Sequence, residues 1–353
     1  MSDTLVREAE VRAGRGLAEV AGRRRRRALV VGSGLTVLTL GLLAVTLSVG
    51  DIPLPLSRVL ATLVGRGDET STLVLVEFRL PRLVLGVMVG MAFGLSGALF
   101  QSVLRNPLAS PDIIGISQGA SVGAVTALLV LGLGGVAVSV AALIGASVVG
   151  GLNYALSWRE GVTGYRFVVC GIGLAFVATS VLGYLLTRSD AREAQEALVW
   201  LSGSIASADW EGNARLAVAL AVLVPVALAL ASGLGMLGLG DDTASALGVR
   251  AERVRLLALA VGTALAAVAT AAAGPVAFVA LASAPIARRL VGHGSLALVP
   301  SALVGVVVVT ASDLLALHLI PDIQVPVGIV TGVVGGAYLI WLLATARAES
   351  GNR

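Results

Sequence analysis

The chain has 353 residues, 57% hydrophobic and only 13% charged, with a formal net charge of +4 and a mean hydropathy of +0.95. Soluble domains average about a quarter charged residues, so a water-soluble enzyme is excluded. Apolar windows of about 20 residues recur along the length, each enough to cross a hydrocarbon core of about 30 Å; a β-barrel would show short alternating segments instead, which leaves an all-α polytopic membrane protein.

In chain order, residues 1–27 form a basic tail that ends in five consecutive arginines, 23–27. Residues 1–22 are expected to be mobile or a short surface helix. The first span, 28–49, is too long for a signal-peptide core and lacks a small-residue cleavage pattern, so it is retained. An outer segment, 50–78, contains IPLPLSRVLATLVGRG (52–67). Its apolar residues fall at helical spacing around Arg58 and Arg66 and predict an interfacial helix. Four spans follow at 82–104, 112–131, 135–157 and 165–187, then a second outer segment at 188–212. The sixth span, 213–233, leads into an inner segment, 234–254. Spans at 255–273, 275–291, 298–320 and 325–345 bring the count to about ten, and 346–353 is a short tail.

All 25 basic residues are arginine, and their placement sets orientation through the positive-inside rule. The run 23–27 puts the N-terminus in the cytoplasm, and ten crossings return the C-terminus there. Arg105, Arg159, Arg166, Arg250, Arg253, Arg255, Arg288 and Arg289 all fall on inner turns under this reading. The run itself reads as a topology anchor on anionic lipid, not as a nucleic-acid site.

The second span carries Gly86, Gly90, Gly94 and Gly97. The G-x-x-x-G spacing among the first three lets helix backbones approach closely, which places this helix inside a bundle. Gln101 is polar in the same helix. Asn106-Pro107 and Ser110-Pro111 then stop it, because proline removes a donor and disfavours helix before itself. Irregular backbone at membrane depth is tolerated only in protein or facing water. The stretch is therefore either an ordinary turn or the border of an inward-facing path, with Gln101, Asn106 and Pro107 as candidate path or gate residues. In LGLGDDTASALGVRAERVRLLAL (237–259), Gly238 and Gly240 end the sixth span's extension. Asp241 or Asp242 is placed to N-cap a short helix over 243–247, and Gly248 to close it. Such a knob suits docking into a groove on another protein.

No lysine is present, so the chain cannot build a Walker A phosphate loop. The single Cys170 cannot form an internal disulfide, and the two histidines, His293 and His318, fall near opposite membrane faces. No metal-ligand set and no catalytic constellation is visible.

Five stretches carry a resemblance. RLPRLVLGVMVGMAFGLSGALFQSVLRNPLASPDIIGISQGA (79–120), WLSGSIASADW (200–210), residues 237–259, AGPVAFVALASAPIARRLVG (273–292) and QVPVGIVTGVVGGAYLIWLL (324–343) occur in this order. Together they resemble the permease subunits of ATP-binding-cassette (ABC) importers for iron–siderophore complexes and vitamin B12, and within these the ferric-enterobactin type. The resemblance implies a type II ABC importer permease fold in the inner membrane, over residues 28–345. It implies that segment 237–255 couples to the ATPase, through Gly240, Asp241, Asp242, Ala244, Ala246, Leu247 and Gly248. It further implies that Arg58 and Arg66 meet acidic groups on an extracytoplasmic siderophore-binding protein. The implied partners are two ATPase subunits that bind the ATP and magnesium, a second, related but non-identical permease, and a catecholate-like ferric siderophore. The second, fifth and tenth spans are expected to line the path.

The sequence departs from the family at Ala284-Pro285, where Pro-His is usual, at Gln324 for Glu, and at Ala337 for Pro. A cobalamin or haem importer of the same family is the near alternative. A proton-driven secondary transporter is the distant one, and it would need a membrane-embedded acid or base, for which Asp313 and His318 are the candidates.

Overall fold

The computed structural model describes residues 2–50, 52–159, 164–292, 295–318 and 324–350, and the described residues contain no β-strand. In a bilayer, helices satisfy every backbone donor and acceptor internally. The helices are α1 (Ser2–Ser48), α2 (Leu56–Leu63), α3 (Glu69–Thr72), α4 (Leu80–Leu104), α5 (Ile116–Leu129), α6 (Val136–Ser157), α7 (Gly164–Arg188) and α8 (Ala191–Leu201). The series continues with α9 (Trp210–Ala229), α10 (Ala231–Leu237), α11 (Asp241–Ala246), α12 (Ala251–Ala273), α13 (Val279–Val291), α14 (Leu298–His318) and α15 (Val327–Ser350). A π-helical turn, Leu73–Arg79, joins α3 to α4 just before Pro81, which cannot donate a backbone hydrogen bond.

Among the described residues, seven helical stretches are long and apolar enough to cross a membrane, and α5 and the start of α15 are shorter apolar helices. With α13, these match the ten sequence spans in order. The boundaries differ where helix was read as continuous. The third span begins at Ile116, not 112, and the eighth at Val279, not 275. Residues 106–115 and Gly274–Phe278 are irregular instead, because Pro107, Pro111 and Pro275 withhold donors there. α1 is unbroken from Ser2, so the expected separate tail element is absent.

α4 is the core of the subunit, and glycine explains how. A Cβ on Gly90 would lie 2.6 Å from the Gly305 carbonyl oxygen of α14, one on Gly94 2.3 Å from that of Ser301, and one on Gly97 1.8 Å from that of Ala280 in α13. The Ser96 hydroxyl donates to the Gly262 carbonyl of α12 at 2.7 Å. A second seam joins α5 to α6, where a Cβ on Gly123 would meet the Ala141 carbonyl at 2.0 Å. Small residues thus replace the hydrophobic driving force that lipid removes.

The helix ends gather at two faces. Arg27 donates to the Leu290 carbonyl, Arg288 to the Ser102 hydroxyl and Arg105 to the Leu237 carbonyl, which collects α1, α4, α10 and α13 at one end. At the opposite end Arg79 donates to the Leu47 and Ile52 carbonyls, and the Trp210 indole to the Val76 carbonyl. There too, Ser204 N–H bonds to the Ala273 carbonyl at 2.8 Å and Gly328 N–H to the Gly203 carbonyl at 3.1 Å. Gly203 and Gly274 both have positive φ, +67° and +71°, which a side chain would strain.

α7 lies outside this core. It exposes Tyr165, Phe176, Val177, Thr179, Ser180, Tyr184 and Thr187 along its length. α4, by contrast, is buried at 19 of its 25 residues.

Candidate functional site

The protrusion between α10 and α12 is built from three local features. Gly240, at φ +108°, turns the chain out of α10 and occupies the N-cap position of α11. It has no side chain to cap with, and neither Asp241 nor Asp242 caps the helix in its place. The N-cap expected from one of these acids is thereby corrected. Asp241 instead accepts from two guanidinium groups, Arg105 Nη2 to Oδ1 at 3.1 Å and Arg255 Nη2 to Oδ2 at 2.8 Å. Bonds between charged groups are about twice as strong as neutral ones, so the arginines outcompete the backbone amides. Arg255 also donates from Nη1 to Glu252 Oε2 at 2.8 Å.

The C-terminal end closes as its sequence predicts. Gly248 sits at φ +81°. Its N–H donates to the Ser245 carbonyl at 2.9 Å, and the Val249 N–H to the Ala244 carbonyl at 2.9 Å. This pair of bonds is a Schellman closure, and the accompanying apolar contact comes from Ala244 and Val249, both packed on the core. The remaining residues point outward. Asp242, Thr243 and Ala246 are exposed, and Leu247 and Leu239 are 58% and 65% exposed. The result is a rigid helical turn with an apolar tip.

Arg105 ties this protrusion to the transmembrane core. It ends α4 in the left-handed conformation, φ +49°, which a residue with a Cβ adopts only at a cost. Its guanidinium bridges the Leu237 carbonyl and Asp241. The Arg105 and Asp241 side chains are 53% and 52% exposed, so this ion pair contributes at most about 1 kcal/mol.

The other predicted residues fall in three places. Arg58 and Arg66 lie on or just after α2, at the end opposite α11, and both are exposed. Arg58 pairs loosely with Asp68 at 3.9 Å. A hydrogen bond from the Ser71 hydroxyl holds the Asp68 carboxyl below its ordinary value, with Arg58 adding a smaller pull. Gln101 is buried and engaged within the subunit, donating to the Leu281 carbonyl at 3.0 Å and accepting from Arg288 Nη1 at 3.3 Å. It locks α4 to α13. Asn106 makes an Asx turn, its Oδ1 accepting from the Leu108 N–H at 2.9 Å, and Pro107 is exposed beside it. None of these residues lines a cavity of about 510 Å³ that lies near the opposite end among Ser139, Trp200, Asn213 and Leu216.

Three arrangements were not read from the sequence. Arg82 grips Asp313 inside the bundle, with Nη2–Oδ1 at 2.8 Å and Nε 3.1 Å from both oxygens. Two opposite charges in otherwise apolar helices were the available signal. Asp313 is therefore committed to a salt bridge inside the bundle. His318 Nδ1 lies 2.8 Å from the Leu314 carbonyl in its own helix, and His293 lies outside the described residues. The second arrangement is the clasping of Asp241 by Arg105 and Arg255, both of which read as topology arginines. The third is the placing of Asp112, half-buried with its Oδ2 enclosed.

Comparison with known proteins fits this geometry. Residues 37–345 match the model of the FecCD transport family. The chain is 39% identical to the ferric enterobactin transport system permease protein FepG of Escherichia coli K12, over 83% of this chain and 89% of the relative. It is 33% identical to the probable siderophore transport system permease protein YfhA of Bacillus subtilis 168, covering 91% and 96% of the two chains. The Fe(3+) dicitrate transport system permease protein FecD of Escherichia coli K12 is 34% identical, covering 89% and 98%. A solved metal-chelate type ABC transporter in an inward-facing conformation superposes with a TM-score of 0.79 at 25% identity, over 90% of this chain and 99% of that one.

Proposed function

The chain belongs to the FecCD transport family, and from that premise we propose that it carries a ferric siderophore of the catecholate type across the inner membrane by alternating access. It is a multi-pass permease subunit of an ABC transporter of the iron-chelate class, and such a subunit is not itself an enzyme. ATPase subunits and a binding protein accompany a permease of this kind.

The observation that carries the reading is the α11 protrusion: a Schellman-closed turn with Leu239 and Leu247 outward, clasped to α4 and α12 through Asp241. In this proposal Gly240, Asp241, Asp242, Ala244, Ala246, Leu247 and Gly248 form the part that enters a groove on the ATPase. ATP and magnesium reside in that partner. The arginine-rich end, with both termini, faces the cytoplasm, and Arg58 and Arg66 face the binding protein from the other side. The exposed face of α7, with its weakly polar Thr179, Ser180 and Thr187, meets a second, non-identical permease and borders the path between them. Similarity to a relative named for ferric enterobactin supports the catecholate cargo. Relatives named for ferric citrate support a second cargo reading.

Proteoliposomes holding the full complex decide between these. With ATP on the ATPase side and ferric enterobactin delivered by the binding protein, iron accumulates inside, and excess ferric citrate does not compete. Competition by citrate would move the cargo to the second reading. Uptake that survives loss of ATP but collapses with the proton gradient would reject the importer reading altogether.

A further inference from the structure

The irregular stretch after α4 does not stay at the membrane surface. Ala109, Ser110, Pro111 and Ile114 are buried. A Cβ on Gly171 would lie 2.8 Å from the Ile114 Cα, and one on Gly115 3.0 Å from the Ala175 backbone nitrogen. Residues 171–175 sit seven to eleven residues into α7, which at a rise of about 1.5 Å per residue is about 10–16 Å from its end. The segment is therefore re-entrant, and α5 starts at depth. α13 also starts at depth, since its Ala280 abuts Gly97, seven residues from the end of α4.

Asp112 stands between these two interior helix starts. Its Oδ1 bonds to the Ser117 hydroxyl in the first turn of α5 at 2.5 Å. The backbone amide of Phe278, immediately before α13, faces the same carboxyl. Its Oδ2 is buried with no hydrogen-bond partner. A carboxylate is at its best near helix N-termini, where unsatisfied N–H groups and the macrodipole favour negative charge. Phe278 is itself held at φ +65°, and it reaches further, because a Cβ on Gly335 of α15 would fall 2.2 Å from the Phe278 Cβ. At the other end of the same segment, Arg105 holds Asp241 of α11.

We propose that Asp112 is a positioning residue for transport: it clasps the re-entrant segment to the start of α13, so that displacement of α11, carried through Arg105, moves α13 and α15 with it. This rests on the reading of α11 as the ATPase contact. The segment is short and packed on both sides, and packed interiors shift between discrete arrangements instead of deforming smoothly. The clasp has a spare buried oxygen, which a second arrangement can satisfy.

The test uses the complete complex in lipid with paired spin labels, in a Cys170→Ser background. One pair, Ser245→Cys with Val222→Cys, reports α11 against α9; the other, Leu290→Cys with Val222→Cys, reports α13 against α9. Addition of a non-hydrolysable ATP analogue should shift both distances in the parent. In Asp112→Ala the first shift persists and the second disappears, ATPase activity is retained, and ferric enterobactin uptake falls about ten-fold. Asp112→Asn keeps the shape and the Ser117 bond while losing the charge, so it remains informative should the alanine variant fail to fold, and it should show a partial loss of the second shift. A full α13 shift in Asp112→Asn or Asp112→Ala would overturn the proposal. Absence of the α11 shift in the parent would instead overturn the ATPase-contact reading beneath it.

Discussion

The two ends of the bundle are held by different means. At the α11 end the chain is fixed by side chains: Asp241 lies between Arg105 and Arg255, with about half of the acid exposed. At the opposite end, Arg82 and Asp313 form a bidentate pair with side-chain exposures of 15% and 4%, beside backbone contacts at Gly203, Gly274 and Gly328 that leave no room for a Cβ. Exposed pairs are weak and screened, whereas removing one partner of a buried pair strands a charge. The contrast teaches that this subunit has a stiff end and a compliant end, and that the compliant one carries the part able to receive mechanical work.

The contrast breaks most readily at the stiff end. Arg82→Ala or Asp313→Ala should each destabilise by about 3–5 kcal/mol, and Arg82→Met with Asp313→Leu together should recover most of that. Arg105→Ala should cost under about 1 kcal/mol. Thermal unfolding of the purified complex in detergent measures all four, and equal losses at the two ends would erase the distinction. Next in size, Gly97→Leu should cost about 1–3 kcal/mol or more by forcing α4 from α13, since the Ala280 carbonyl occupies the place of its side chain; the same assay checks it.

Gly248→Ala should be milder, about 1–2 kcal/mol, because Gly248 has positive φ with open space around it. Its effect should concentrate in α11, with uptake falling while the melting temperature of the bundle barely moves. The smallest effect belongs to Asp68. Its folded pKa is depressed by the Ser71 hydroxyl, so its contribution is present above the unfolded value of about 3.9 and is lost as pH falls through the folded value. Amide protection over residues 56–72, taken relative to intrinsic exchange at each pH, should therefore fall slightly below about pH 5, with no such fall in an Asp68→Asn variant.

Much of this architecture is legible in the sequence for a physical reason. Hydrocarbon forces helices of known length, so ten apolar runs become ten elements in order. The glycine spacing of α4 announced a close packer, and Gly248 announced a left-handed turn. The misreadings have one origin: local pattern says nothing about partners far away in the chain. Arg82 and Asp313 are 231 residues apart, and Asp241 is drawn from its capping role by Arg105, 136 residues away. The re-entrant course of 106–115 escaped as well. Prolines show where a helix stops but not where the chain goes next, and it is Gly171 of α7 that makes room for Ile114 to enter.

The most direct test of α11 as the receiving element is a charge at its tip. Leu247→Glu, in the complex with its ATPase, binding protein and partner permease, should leave the melting temperature unchanged, since the side chain is exposed. It should also release the ATPase from the membrane complex and abolish ATP-driven uptake of ferric siderophore. Wild-type uptake with the ATPase still bound would contradict the account.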